Sequence, residues 1–122
     1  DDTLYYKNSR YYINDSPRDY ASETAVCAVS LDGGAGIRLA LTGAVQSDSM
    51  CLSTDARLLG CYDPDRKALV LYRYDAATDT AVELTRIKSM SSMLCAVTNG
   101  QRYVMLGGGG SDVTKLVLGD LE

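Results

Sequence analysis

The sequence predicts an all-β fold, and three observations support that prediction. One pattern recurs at intervals of about 44 residues, a period typical of repeat architectures. The apolar runs are short and are bounded by Gly, Pro, Asn and Asp, as β-strands are. Many of these runs are almost continuously apolar, which is typical of strands that are covered on both faces. Repeated small sheets are therefore expected.

The recurring pattern is an apolar run, a polar turn and a second apolar run. It occupies residues 51–61 and 95–105, and residues 4–13 fit the same template with a polar turn predicted at 7–9. An aspartate ends an apolar run once in each repeat, and a Leu-Thr pair follows the first two aspartates at the same distance. These landmarks are Asp32, Asp75 and Asp120, with Leu41-Thr42 and Leu84-Thr85.

Each repeat is expected to form up to four strands, in chain order. The predicted strands are 3–7, 10–14, 24–31 and 36–42; 50–54, 57–62, 68–74 and 81–87; and 93–98, 102–106 and 113–118. A capping box at Thr80-Ala-Val-Glu83 offers a helix over 79–90 as the alternative. The partner segment 36–42 alternates with a period of two, which favours a strand at both places.

Stacked sheets of this length are typical of β-propeller blades. The prediction is a propeller-like stack of about three four-stranded antiparallel blades, the last one incomplete, with repeats at about 3–46, 47–89 and 90–122. Residues 1–122 then form a single domain or a propeller segment. Closed propellers have about four to eight blades, so a longer propeller or a six-bladed ring of two chains is favoured over an open arc. An arc would expose apolar faces and an unpaired edge.

Composition narrows the function classes. The formal net charge is −4 and no Lys/Arg cluster occurs, which argues against nucleic acid as a partner. No apolar run reaches the length of a transmembrane helix, so no membrane-spanning segment is expected. The chain has no histidine, which excludes Ser-His-Asp and Cys-His catalysis and histidine metal ligands within these residues. An enzymatic role is therefore not favoured.

The cysteines are expected to be buried free thiols, with disulfides as the alternative. Cys27, Cys51, Cys61 and Cys95 each lie in an apolar or strand-like run, where free cysteine behaves as a small hydrophobe. No Cys-x-x-Cys pair occurs, so a zinc site is poorly supported. We therefore expect no metal and no cofactor.

The loops that join the second and third strands of each repeat carry the candidate binding residues. These loops are 14–24, 63–67 and 107–112, and all three are expected to project from one face. They are candidates because the function of a propeller usually lies in its loops. Tyrosine and arginine are favoured at protein interfaces. The predicted binding residues are Arg18, Tyr20, Asp63, Arg66 and Lys67. Ordinary solvated turns are the alternative interpretation.

Three motifs are better explained by turns than by ligand binding. The Gly107–Gly110 run lacks the Lys and the helix of a phosphate loop, so a hairpin is expected there. Asp63-Pro-Asp65 departs from the calcium-binding loop pattern after two positions and predicts a type I turn. The recurring aspartates are assigned to turn formation, because aspartate hydrogen-bonds its own backbone in turns.

A family resemblance extends the fold prediction to function. Residues 28–34 (AVSLDGG) and 38–42 (RLALT) resemble the Leu-Asp-Gly and Leu-Thr strand pair of bacterial YWTD-like and TolB-like propeller repeats. Leu4-Tyr-Tyr and the run 10–15 look like the inner strands of such repeats. The resemblance implies a non-enzymatic module for protein binding or cell-envelope scaffolding, located in the envelope or outside the cell. Its partner would be a protein or additional propeller blades, from a longer chain or a homodimer.

Two alternatives stay open. The chain is a segment of a propeller enzyme, such as a hydrolase, whose catalytic residues lie elsewhere, or it is a propeller that binds a sugar or another small molecule through exposed tyrosines.

Overall fold

A computed structural model describes residues 2–13, 20–109 and 114–122. In this part of the chain every regular element is a β-strand, and the strands form three separate antiparallel sheets. The all-β prediction is confirmed. The chain divides into two compact units, Asp1–Leu39 and Ala40–Glu122, with the first sheet in one unit and the other two sheets in the second.

The first sheet contains β1 (Thr3–Ile13), β2 (Tyr20–Ser30) and β3 (Ile37–Arg38), in the order β1-β2-β3. The polar turn predicted at 7–9 is wrong, because these residues lie inside β1 and pair with residues 24–26 of β2. They are exposed, so their polarity reflects solvent along one long hairpin and not a chain reversal. The predicted strands 3–7 and 10–14 are therefore one strand.

The predicted fourth strand of the first repeat, 36–42, is largely wrong, because only the two residues of β3 pair within the first sheet. Leu41 and Thr42 belong to the second unit instead. The Thr42 backbone bridges Thr80 in a parallel direction, and Leu41 is almost fully buried. The Leu-Thr pair at 41–42 is thus not the structural equivalent of Leu84-Thr85, which lies within a strand of the second sheet.

The second sheet is the four-stranded sheet that the repeat predicts. Its strands are β4 (Met50–Leu52), β5 (Leu58–Asp63), β6 (Ala68–Asp75) and β7 (Thr80–Ile87), in the order β4-β5-β6-β7. The two central strands, β5 and β6, are buried along most of their length, as their continuous apolar runs predict. The strand interpretation of 81–87 is confirmed against the helical alternative.

The third sheet has three described strands, as predicted for an incomplete repeat. They are β8 (Ser92–Thr98), β9 (Arg102–Gly108) and β10 (Thr114–Asp120), in the order β10-β9-β8. Gly107 and Gly108 end β9. The hairpin predicted for the rest of the glycine run falls mainly on 110–113, outside the described residues.

The second and third sheets pack against each other through one apolar core. The second sheet contributes Leu58, Leu69 and Leu71, and the third contributes Met93, Ala96, Tyr103 and Met105. Gly60 permits the close approach, because a Cβ atom built there would lie 2.9 Å from the Met93 Cβ. The sheets thus meet directly, backbone against side chain, near the middle of β5.

The prediction of buried free thiols is confirmed in part. All four cysteines are free, and Cys27 and Cys61 are buried. Burial raises the pKa of the Cys61 thiol to about 12. Cys51 is half-buried and Cys95 is exposed, so burial is wrong for Cys95. Its side chain shares a face with Leu106, its partner on β9, which points away from the core.

Candidate functional site

A turn joins β5 to β6 at the place where Asp63-Pro64 predicts one. The Asp63 side chain is buried, and its Oδ1 accepts hydrogen bonds from the backbone N–H groups of Asp65 at 3.0 Å and Arg66 at 3.3 Å. Lys67 completes the turn with a φ of 51°, in the left-handed region. Asp63 therefore acts as the organiser of this turn.

Arg66 links this turn to the edge strand β7. Its Nε lies 3.4 Å from Asp63 Oδ2, and its Nη1 donates a hydrogen bond to Glu83 Oε1 at 2.9 Å. Arg86 Nε donates to the other Glu83 oxygen, also at 2.9 Å. The hydrogen bond from Arg86, with help from Arg66, holds the pKa of Glu83 below its usual value. Two cations and two anions therefore compensate one another at this surface.

The predicted binding residues have different outcomes. Asp63, Arg66 and Lys67 lie together in the β5–β6 turn, and the structure joins the first two directly. Arg18 lies outside the described residues. Tyr20 begins β2, but its side chain is also outside the described part of the structure. A binding patch that combines Arg18 and Tyr20 of the first repeat with Arg66 of the second thus stays a prediction.

Sequence reasoning missed Glu83 and Arg86. They lie on β7, which pairs with β6, and this pairing brings Glu83 next to Arg66 across 17 positions of sequence. The local signal at Glu83 is the capping box Thr80-Ala-Val-Glu83, which indicates a helix and not an ion pair with Arg66.

A cleft lies at the opposite end of the β5 and β6 strands. Its volume is about 410 Å³, and it is formed by the turns β4–β5, β6–β7 and β8–β9 with the end of the chain. Arg57 and Arg73 line it together with Asp55 and Asp75. Asp75 behaves as the sequence predicts for a turn aspartate, because its Oδ1 accepts a hydrogen bond from Ala77 N at 2.9 Å. The wall of the cleft therefore carries side chains of both charge signs among apolar ones.

Asp55 joins the second sheet to the third at the edge of this cleft. Its carboxylate accepts hydrogen bonds from the hydroxyls of Thr98 and Ser53, the latter at 2.7 Å, and from Arg57 N at 3.3 Å. Burial alone would raise the pKa of Asp55, but these hydrogen bonds outweigh it and hold the pKa below its usual value. Asp55 is thus an ionised structural acceptor.

Asp79 has a similar role in the turn between β6 and β7. Its carboxylate accepts hydrogen bonds from Ala40 N at 2.6 Å, Leu41 N at 3.0 Å and the Tyr74 hydroxyl at 2.6 Å. Burial opposes ionisation, but the three donors lower the pKa of Asp79. Its φ of 53° is one that aspartate tolerates better than most residues. Asp79 therefore fastens residues 40–41 to the second sheet, and no sequence motif marked it.

Neither a metal-binding cluster nor a membrane-spanning helix occurs among the described residues. Among them, no group of three or more Cys, Asp or Glu side chains is placed to hold a metal ion. No helix in the same residues has the length and hydrophobicity of a membrane span.

The turn-forming role of Asp75 is not seen for the other two recurring aspartates, Asp32 and Asp120. The Asp32 backbone N–H donates to Ser30 Oγ, and Asp120 pairs with Arg102 at 3.1 Å.

Comparison with known proteins gives no family to which the chain can be assigned. No family model matches, and neither the curated proteins nor the solved structures gave a significant match.

Proposed function

We propose that the chain supplies consecutive blades of a β-propeller, and that this propeller is a non-enzymatic scaffold for binding other proteins. The observation that carries the proposal is the packing of the second sheet on the third, with matching turns at one end. The repeat period aligns Asp55 with Asn99 and Ala56 with Gly100. Successive repeats packed in this way are the basis of a propeller.

The matching turns support this reading in detail. Arg57 N donates to Asp55 Oδ1 at 3.3 Å, and Gln101 N donates to Asn99 Oδ1 at 2.9 Å. The next residue in each turn, Ala56 or Gly100, has a positive φ. Two segments with different sequences therefore share these two features at the same position of the repeat, and Thr98, at the end of β8, donates a hydrogen bond to Asp55 in the first of them.

The β5–β6 turn is the proposed contact surface for a protein partner. Arg66 and Arg86 are about half exposed and are already held by Glu83. Arginines held in place lose less side-chain freedom on binding, and arginine is enriched at binding hot spots. The resemblance to envelope propellers adds the expectation that the partner is met in the cell envelope or outside the cell.

Site-specific photo-cross-linking tests this function. A photoreactive residue in place of Lys67 should capture a defined protein from an envelope extract of the source cell, and Arg66→Glu should abolish that capture. The same photoreactive residue in place of Lys115, an exposed position on β10, is the matched control. Capture that is identical from both positions, or that persists in Arg66→Glu, would contradict the proposal.

The cleft supports one alternative, a propeller that binds a small molecule. Its volume of about 410 Å³ is within the range of small-molecule pockets, and Arg57 and Arg73 could bind hydroxyl or carboxylate groups. Titration with glucose and glucuronate, followed by NMR, tests this alternative. Shifts confined to Arg57, Arg73 and their neighbours, and lost in Arg73→Ala, would support it. No shift at millimolar ligand would exclude it for these sugars.

A further inference from the structure

The third sheet presents an apolar face that the structure leaves exposed. Strand pairing places Val97, Val104 and Leu118 in one row across the sheet, and Cys95, Leu106 and Leu116 in the next. We call these six residues the outer face of the third sheet. Leu116 and Leu118 are each 67% exposed, and Val97 is 55% exposed. A contiguous apolar patch of this kind indicates an interaction surface.

The repeat indicates what kind of surface covers this face. Leu116 lies four residues before Asp120, and Leu71 lies four residues before Asp75, so the two leucines occupy equivalent positions. Leu71 is fully buried in the core between the second and third sheets. The outer face of the third sheet is therefore the equivalent of the face on the second sheet that already packs against another sheet.

The first sheet exposes the opposite kind of face. Leu4 pairs with Val29 and Tyr6 pairs with Cys27, so these side chains share one side of the sheet, and Leu31 follows two residues after Val29. Cys27 is buried on this side, whereas Leu4 and Leu31 are 51% and 69% exposed. We call this the open face of the first sheet. Leu31 lies one residue before Asp32, the position that Tyr74 occupies before Asp75. Tyr74 is 3% exposed, whereas Leu31 is 69% exposed.

The chain thus carries two bare faces of complementary type. Within the chain, the face that contains Leu71 packs on the face that contains Tyr103 and Met105. The outer face of the third sheet is of the Leu71 type. The open face of the first sheet is of the other type. Leu4 and Leu59 occupy equivalent positions, because their strand partners, Val29 and Tyr72, each lie three residues before a recurring aspartate. Leu59 and Tyr103 are in turn one repeat period apart, so Leu4 belongs to the same type of face as Tyr103.

We propose that the outer face of the third sheet binds the open face of the first sheet of a second copy of this chain, repeating the packing seen between the second and third sheets. This inference rests on the repeat packing in the proposed function. Two copies together supply six sheets, within the range of about four to eight blades that close a propeller. The contact is head to tail, with different faces on the two partners.

The border of the outer face fits an interface rim. Arg102 Nε lies 3.1 Å from Asp120 Oδ1, and both side chains are about two-thirds exposed. A groove of about 310 Å³ lies beside this pair, lined by Val97, Tyr103, Val104 and Leu118 among others. An apolar centre with charged residues at its edge is the usual arrangement of a protein interface.

Mass measurement by light scattering at about 50 μM tests the proposal, because weak dimers are populated at such concentrations. The wild-type chain should have twice its 13.1 kDa mass. Two variants should be monomeric: Leu116→Glu with Leu118→Glu on the third sheet, and Leu4→Glu with Leu31→Glu on the first. Val82→Glu is the matched control, since Val82 is 52% exposed on β7, and its dimer should persist.

Mixing the two monomeric variants gives the sharpest result. Each variant retains the face that the other has lost, so the mixture should regain a species of twice the chain mass through one intact contact. Circular dichroism of each variant should match the wild type, which excludes unfolding as the cause. A monomeric wild type, a variant that still dimerises, or a mixture that stays monomeric would overturn the proposal.

A further variant distinguishes failure of the proposed head-to-tail dimer from failure of the proposed function. Gly60→Val disturbs the packing of the second sheet on the third within one chain. If the wild type is monomeric but Gly60→Val lowers its unfolding temperature, only the head-to-tail dimer is wrong. If Gly60→Val leaves that temperature unchanged, the repeat packing itself is wrong, and the proposed function fails with it.

Discussion

The hydroxyl of Thr98 donates a hydrogen bond to Asp55 Oδ2, and this bond joins the turn before β5 in the second sheet to the end of β8 in the third. A backbone hydrogen bond of 3.2 Å from Thr54 N to Ala96 O lies beside it. The apolar core fixes the distance between the two sheets, whereas these directional bonds fix how one sheet is placed along the other.

Thr98→Val tests this junction. Valine keeps the shape of threonine but removes the donor, so we expect a loss of about 1 kcal/mol in the free energy of unfolding. Urea denaturation of the wild type, Thr98→Val, Asp55→Ala and the double variant measures the coupling between the two residues. The loss in the free energy of unfolding should be smaller in the double variant than the sum of the losses in the two single variants. Fully additive losses would show that the hydrogen bond contributes nothing to stability.

Asp79→Ala should destabilise the protein more than Thr98→Val. It removes an ionised acceptor from three donors, and hydrogen bonds to charged groups contribute about 1.5–3 kcal/mol. Asp79→Asn is the matched variant, because asparagine keeps an acceptor and tolerates the positive φ. Urea denaturation should give free energies of unfolding that decrease in the order wild type, Asp79→Asn, Asp79→Ala. Equal stability of the Ala variant and the wild type would contradict the role assigned to Asp79.

Stability should fall as the solution is acidified. The pKa values of Asp55 and Asp79 are lowered in the folded protein, so the folded state binds fewer protons than the unfolded state near those pKa values. The stabilising contribution is complete above the ordinary aspartate pKa of about 4 and is lost as the pH falls below it. Denaturation at pH 7, 5 and 3 should show the loss mainly between the last two values.

The variant that combines Asp79→Asn with Thr98→Val should lose less stability between pH 5 and pH 3 than the wild type does. If this variant loses as much stability between pH 5 and pH 3 as the wild type does, the acid sensitivity comes from other groups.

How far the sequence predicts this structure depends on whether the signal is local. Strands β5 to β10 follow from apolar runs and turn residues that neighbour one another in the chain. The long hairpin of β1 and β2 does not, because the polar residues at 7–9 look like a turn unless their pairing with β2 is known. Asp79 and Glu83 were missed for the same reason: their partners Leu41 and Arg66 lie 38 and 17 positions away.

Thiol labelling should distinguish the cysteines by position. In a chain with Cys27 and Cys51 replaced by serine, an alkylating reagent should modify the exposed Cys95 in the native state, and the buried Cys61 only after unfolding. The high pKa of Cys61 adds to its protection, because the thiolate is the reactive form. Fast native labelling of Cys61, measured by mass spectrometry, would contradict its placement in the core.

Labelling of Cys95 also reports on the proposed dimer. Cys95 belongs to the outer face of the third sheet, so it should react faster in the Leu4→Glu and Leu31→Glu variant, which leaves the surroundings of Cys95 unchanged, than in the wild type at equal protein concentration. Equal rates would show that this face is not covered in solution.

Gly60→Val should lower stability because the new side chain would meet Met93 Cβ and Sδ. Overpacking of a core costs about 1–3 kcal/mol, and a thermal unfolding scan measures it. Gly60→Ala introduces a single methyl group at the same place, so its loss should be smaller. A Gly60→Val protein as stable as the wild type would mean that the two sheets are not in contact there.

A crystal structure of the 122-residue chain is the most direct test of the account. We expect three sheets of consecutive strands, the second packed on the third through Leu71 and Met93, and Leu116 covered by Leu31 of a neighbouring copy. Strands of different repeats interleaved in a single barrel or sandwich would contradict it.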